Sequence, residues 1–277
     1  MRFCRYMTPE GARYGIISTV DGRDTITASM PGPQLQVSEF GIPQRIMLPA
    51  VESIQALETA IPLDKATVLI PFPLLSKVLC VGRNYADHVH EMGNDLPKSP
   101  LIFSKPPSSL LSNGGEIRRP AALSQRVDHE GELGVIIGRT CHKLGDDEDV
   151  RDYVLGYTCV NDVTARDLQK TDGQWTRAKG FDTFCPVGPA ISTDIDPWKG
   201  VKVETRVNGE VRQSGSTADF IFPLDAIIRY ISQVMTLLPG DLIATGTPSG
   251  VGPLNPGDVV EITVEGVGTL RNPVVND

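Results

Sequence analysis

No run of this sequence approaches the ~18–20 apolar residues that cross a bilayer as a helix, so no membrane span is expected. Met1–Tyr6 runs into Thr8-Pro9-Glu10-Gly11 rather than an apolar segment, so no secretory leader is expected either. Paired cysteines are also missing. The five thiols (Cys4, Cys80, Cys141, Cys159 and Cys185) are odd in number and scattered, with no Cys-x-x-Cys. That removes a zinc knuckle and a dithiol redox motif, and it points to reduced thiols in a cytoplasmic protein. Positive charge is short: 26 Lys and Arg stand against 34 Asp and Glu, a net charge of −8. Nucleic acid is thereby disfavoured as a partner, because phosphate binding needs a basic face. No Gly-x-Gly-x-x-Gly follows a strand to cradle a dinucleotide, and no internal repeat occurs.

What is present is globular: 277 residues, 40% hydrophobic and 22% charged. The two prolines of Ile70-Pro71-Phe72-Pro73 form a stiff boundary. They divide a small β-rich unit, residues 1–73, from a larger one, residues 74–277. In the small unit Phe3–Tyr6 and Arg13–Thr19 read as strands joined at Thr8–Gly11, and Asp21-Gly22 as a turn. Val51–Ala60 has helical spacing through Val51, Ile54 and Leu57. The larger unit alternates many short strands with few helices, which argues against a doubly wound parallel sheet.

The stretch around which this unit is organised is Val127–Gly138. Its second half is an apolar run bounded by glycines, a buried strand. Its first half sets Glu130 and Glu132 two residues apart, on one face of the chain and roughly 6–7 Å apart along it. Carboxylates that close repel each other, and a hard divalent cation resolves the repulsion. The competing reading is a strand end with solvated charges. Val154–Val160 is a second buried strand that delivers Asp162, either as a third oxygen ligand or as the N-cap of a helix over Thr164–Gln169.

Lys77–Gly82 reads as a strand running into a short helix over Arg83–Asn94, with Asn84 as N-cap, Asp87 at the capping-box position and Gly93 past its end. His88 and Glu91 lie three apart on one face, as do Asp87 and His90. Either pair could make an oriented general base, and spacing does not choose between them. Leu101–Lys105 is a strand stopped by prolines, and the polar loop Gly93–Pro100 could act as a lid. Asp146–Tyr153 reads as an acidic-started helix and Trp175–Asp182 as a loop holding Lys179. Asn208-Gly209 predicts a hairpin between Val201–Val207 and Glu210–Gln213. Pro223–Leu237 predicts an amphipathic helix, Leu242–Thr245 a strand, and Gly246–Gly252 a glycine-rich turn able to bind a carboxylate. Val259–Val264 and Thr269–Val275 are the closing strands.

Taken together, Val81–His88, His129–Gly134, Asn161–Asp167, Ala178–Asp182 and Gly240–Pro248 resemble the fumarylacetoacetate hydrolase family, in order and with family-like spacing over about residues 76–277. The resemblance implies an α+β, mainly β fold: a mixed β-sandwich roll with a small β-rich N-terminal domain, assembled as a homodimer. It implies that Glu130, Glu132 and Asp162 bind Mg²⁺ or Mn²⁺. His88 and Glu91 match the catalytic dyad, and Lys179 the lysine that faces the substrate. Arg83, Tyr85, Arg166, Gln169, Gly246 and Thr247 would surround the substrate, the last two holding its distal carboxylate. The expected activity is hydrolysis of a C–C bond in a small acylpyruvate-type 2-oxo acid. The alternatives are oxaloacetate decarboxylation, isomerisation of a hydroxyheptadienedioate-type diene, or, from another class, a metal-binding module without turnover. The parent enzyme carries a further acid in the strand before the lid helix. Lys77–Gly82 has none, which places the chain nearer the acylpyruvase, decarboxylase and isomerase branches.

Overall fold

The computed structural model describes residues 1–72 and 76–277, so the expected boundary at residues 73/74 falls outside the described residues. The fold is mainly β. A 12-stranded mixed sheet runs from Gln55–Pro62 through Arg23–Met30, Gly11–Val20 and Arg2–Thr8 to Cys185–Ser192. It continues through Val154–Asn161, Gly131–Ile137, Leu242–Ala244 and Val78–Gly82 to Leu101–Lys105, and its other two strands among the described residues, Val68–Leu69 and Leu110–Leu111, pair with Arg2–Thr8 and Cys185–Ser192. Arg2 pairs with Ser192 and Phe3 with Ile191, so the N-terminal strands extend the sheet of the larger unit. A 5-stranded sheet, Ile117–Arg119, Gly268–Asn276, Val259–Val264, Lys202–Val207 and Glu210–Ser216, faces it.

The apolar core lies between the sheets. Leu133, Val135 and Ile137 of the Glu-x-Glu strand pack in one cluster with Val203, Val260, Ile262 and Leu270. The amphipathic helix forms over Leu224–Val234 and adds Leu224, Ile227, Ile228 and Ile231 to that cluster. Asn208 and Gly209 have φ of 54° and 82° and join Lys202–Val207 to Glu210–Ser216, the positive-φ pair that a tight hairpin of this kind needs.

Several sequence expectations are overturned. Val51–Ala60 is no helix: one 3₁₀ turn, Val51–Ser53, leads into the strand Gln55–Pro62, which pairs with Arg23–Met30. Leu57 and Ile61 are spaced for either period, and both pack on the small cluster around Ile26 and Val68 as strand residues. The edge pairing decided the matter. Asp146–Tyr153 is helical only as the 3₁₀ turn Val150–Tyr153, capped by Asp149. The helix expected from Thr164 begins later, over Arg166–Asp172, because Thr164 and Ala165 pair with Asp128 and Val127. Conversely, Thr176–Lys179 forms one helical turn inside the expected loop. Asn84 caps nothing. Its amide donates to the carbonyls of Thr245 and Phe222 and accepts from the Phe222 amide, while the helix Ala86–Glu91 starts after Tyr85.

Candidate active site

The three acids converge through strand register. Gly131 pairs with Asn161, so Glu130 and Asp162 leave adjacent strands at the same level. The Asp162 amide donates to the Glu130 carbonyl, 2.8 Å, and the Asn161 side chain accepts the Glu130 amide, 3.0 Å. Ligand oxygens of Glu130, Glu132 and Asp162 lie within 4.8 Å of one another, and all three residues are buried. Gly131 between them faces the second sheet: a Cβ there would sit 2.1 Å from Thr205 Oγ1. Glycine is therefore required for the two sheets to close at this point.

Three buried cations surround the acids. Lys179 Nζ donates to Glu130 Oε2, 2.8 Å, and to Asp162 Oδ2, 2.6 Å. Lys105 Nζ donates to Asp162 Oδ1, 2.6 Å. Arg166 donates to Glu130 Oε1, 2.6 Å, to Asp128 Oδ2, 3.0 Å, and to Gln169 Oε1, 2.7 Å. Burial alone would raise the Glu130 carboxyl, but Lys179 and Arg166 outweigh it and hold it below the usual carboxylate range. Burial likewise opposes the charge on Lys179, yet Asp162 and Glu130 hold its ammonium above the usual lysine value.

Glu132 is different. It accepts the Gly246 amide at 2.8 Å and has no cationic partner among the described residues. Burial, then repulsion from Asp162 and Glu130, pushes its carboxyl well above the ordinary value. A buried carboxylate without a counter-charge costs several kcal/mol in its ionised form. The cluster is thus short of positive charge at one point, among hard oxygen donors, which fits a divalent cation held by Glu130, Glu132 and Asp162.

A cavity of about 230 Å³ opens over the acids, below the roughly 300–1,000 Å³ of pockets that take drug-sized ligands. Arg83, His88, Arg166, Gln169, Lys179 and Thr247 line it together with the three acids. His88 is 7% exposed and its Nδ1 lies 3.2 Å from Glu91 Oε2, leaving Nε2 free. His90 is exposed, so of the two pairs the fold favours His88 and Glu91. Glu91 is itself held by the Gly250 amide, 3.0 and 3.2 Å from its two oxygens. Arg83 holds φ at 59°, a left-handed backbone that costs a non-glycine residue roughly 1–3 kcal/mol.

Other assignments shift. Tyr85 is buried against Phe220, with its hydroxyl unpartnered among the described residues, and does not line the cavity. The Gly246 amide is committed to Glu132, and the Thr247 hydroxyl donates to Gly131 O and accepts from Gln213. Neither is free for a distal carboxylate. Sequence reasoning missed Lys105, Asp128 and Gln213. A lysine closing the apolar strand Leu101–Lys105 before two prolines was a signal for the first. Phe103 and Trp175 were missed as well. Their rings lie 4.9 and 5.8 Å from Lys179 Nζ and wall the cavity.

Residues 77–275 match the profile described as "Fumarylacetoacetate (FAA) hydrolase C-terminal". The chain belongs to the fumarylacetoacetate hydrolase family. It is 46% identical over 277 residues to Protein Rv2993c of Mycobacterium tuberculosis, covering 99% of this chain and 98% of that one. It is 38% identical over 292 residues to the mitochondrial oxaloacetate tautomerase Fahd2a of Rattus norvegicus, covering 99% and 92%. A solved structure of 2-hydroxyhepta-2,4-diene-1,7-dioate isomerase from Mycobacterium marinum superposes with a TM-score of 0.79 at 44% identity, covering 100% and 99%. Among the described residues, no helix of this family member is long and apolar enough to cross a membrane.

Proposed function

We propose that the chain is a Mg²⁺- or Mn²⁺-dependent tautomerase or isomerase that moves a proton between the enolisable C3 and the 2-oxo oxygen of a small 2-oxo dicarboxylic acid of the oxaloacetate type. The observation that carries this is the carboxylate trio with its unpaired Glu132 beside one oriented imidazole, in a cavity of about 230 Å³. When bound, the cation would supply Lewis-acid polarisation of the 2-oxo group. The remaining work falls to the chain's own residues. His88, held through Nδ1 by Glu91, presents Nε2 to take the proton from C3 and return it to the 2-oxo oxygen, giving the enol, and to run the same transfer in reverse. Lys179 and Arg166 fix the Glu130 carboxylate by two opposed bonds, so its oxygens stay in place as charge moves. Arg83 lines the cavity with no carboxylate partner among the described residues, which leaves its guanidinium for the second substrate carboxylate. The strained backbone at Arg83 is consistent with a side chain retained for function.

C–C bond hydrolysis of acylpyruvates is a second reading. The Glu91 side chain is 34% exposed, which gives water a route to His88. The two separate in one assay. With Mn²⁺, purified protein is given keto oxaloacetate and acetylpyruvate, following enol absorbance and pyruvate release in parallel. Enol equilibration faster than with Mn²⁺ alone, without pyruvate, is the expected result. Pyruvate from acetylpyruvate would favour the hydrolase, and no acceleration of either would end the proposal. We also propose that residues 74–277 carry the activity, with residues 1–73 accessory, and that the protein works as a homodimer in the cytoplasm. Light scattering tests the assembly.

A further inference from the structure

The strand Glu210–Ser216 is exposed along most of its length, yet Gln213 within it is 1% exposed. The ladder explains the inward turn: Gln213 pairs with Thr205, which is buried, so both face the same way. The next pair is Arg206 with Val211, which leaves Arg212 as an extra residue and ends the regular register at Gln213. Here the amide is sent between two loops of the cavity, and all four of its hydrogen-bonding positions are filled. Oε1 accepts from the Gly131 amide, 3.0 Å, and faces His129 Nδ1 at 3.1 Å. Nε2 donates to Thr247 Oγ1 and to Pro248 O, both 2.7 Å.

The chemistry of those four contacts sets their directions. An oxygen receiving the Gly131 N–H can only accept from His129, so His129 carries its proton on Nδ1. Thr247, accepting from the amide, is free to donate to Gly131 O, 2.9 Å. Gly131, the residue between Glu130 and Glu132, is therefore gripped at both its N–H and its C=O. On the other side, the loop held at Thr247 and Pro248 sends the Gly246 amide to Glu132 and the Gly250 amide to Glu91. Gly250 lies hard on the strand: a Cβ there would be 2.0 Å from Arg212 O. A continuous path of contacts joins His88, Glu91, Gly250, Gln213, Gly131 and the acids.

We infer that Gln213 is a positioning residue that fixes the distance between the His88–Glu91 pair and the Glu130–Glu132 turn. It touches no reacting atom and acts through Gly131 and the loop 246–250. The inference rests on the proposed enolising role of the cavity, since it assigns Gln213 an effect on that proton transfer. Gln213→Leu removes all four bonds, and Gln213→Glu keeps the acceptor for Gly131 but loses both donors. The acids keep their ties to Lys105, Lys179 and Arg166, which lie outside the Gln213 contacts, so Mn²⁺ affinity and KM stay within about threefold. The imidazole loses its fixed approach, and misplacement by about 1 Å can cost about 10²-fold in rate, so kcat falls about 10–100-fold.

Steady-state enolisation, with Mn²⁺ binding by calorimetry, reads the split directly. A parallel kcat and Mn²⁺ affinity loss, or a kcat within twofold of wild type in folded protein, overturns the inference. Amide hydrogen exchange gives a readout independent of any activity. In Gln213→Leu, Gly131 and Gly250 should lose protection together while Leu242–Ala244 stay protected; loss at Gly131 alone would refute the coupling. If that variant does not fold, Thr247→Val, which cuts the same path at its second link, takes the same measurements. A wild type that enolises nothing refutes the proposed function, and the exchange result then decides on Gln213 by itself.

Discussion

Replacing Glu132 by Gln should stabilise the metal-free protein at neutral pH while abolishing its response to divalent cations. Glu132 is 2% exposed, meets no cation among the described residues and accepts one hydrogen bond, from the Gly246 amide. Its carboxyl is raised well above the ordinary 4.5 by burial and by Asp162 and Glu130. A raised acid binds its proton more tightly in the folded than in the unfolded state. Stability from this group is therefore complete below the unfolded value and is lost as pH rises towards the folded one. The slope within that window is at most about 1.4 kcal/mol per pH unit. Gln keeps an oxygen for the Gly246 amide and carries no charge, so it removes the slope.

In wild type, Mn²⁺ at one hundred times its Kd restores about 2.7 kcal/mol by mass action. At about 2–4 °C per kcal/mol for a chain near this size, that is a Tm rise of about 5–10 °C. The variant should melt above wild type in EDTA at pH 8, show no advantage at pH 4.5, and not respond to Mn²⁺. Thermal melts at the two pH values, with EDTA and with Mn²⁺, give all the numbers. A variant no more stable than wild type at pH 8 without metal would refute the electrostatic reasoning. A retained Mn²⁺ shift would remove Glu132 from the ligand set.

His88→Ala should lower kcat by about 10²–10⁴-fold while Mn²⁺ affinity, read by calorimetry, stays near wild type. Lys105→Met removes one of the two lysines bonded to the buried Asp162 and leaves Lys179, and urea titration in EDTA should show a loss of about 1–3 kcal/mol. Gly131→Ala drives a methyl group into Thr205 Oγ1. It should destabilise by about 1–3 kcal/mol, with part of the loss recovered in the double variant with Thr205→Ala. Arg83→Leu should reduce kcat/KM for dicarboxylic substrates by at least about tenfold and leave a monocarboxylic 2-oxo acid nearly unchanged; equal losses on both would detach Arg83 from the second carboxylate.

Much of the site was legible because its residues come in short local patterns. The Glu130–Glu132 spacing holds on any strand, and the apolar run after it makes that strand buried. Asp162 at the end of Val154–Asn161 and the His88–Glu91 spacing are local in the same sense. The Asn208-Gly209 hairpin and the buried face of Leu224–Val234 follow from the backbone demands of a turn and the period of a helix. The sequence alone therefore carried the mainly β fold and put the Glu130–Glu132 pair, Asp162 and two His–acid pairs forward as candidates, with the family resemblance pointing to His88. Only the tertiary structure decided which side chains serve that set. Lys105 meets Asp162, and Gln213 meets Gly131, across 57 and 82 residues of chain. It also turned Val51–Ala60 from a helical pattern into an edge strand, and it committed the Gly246 amide to Glu132 and the Thr247 hydroxyl to Gly131. The physical reason is the same throughout: the period of a single segment is set by its own backbone, but the partner of a buried charge or amide is whichever group strand pairing and sheet packing bring within hydrogen-bond reach.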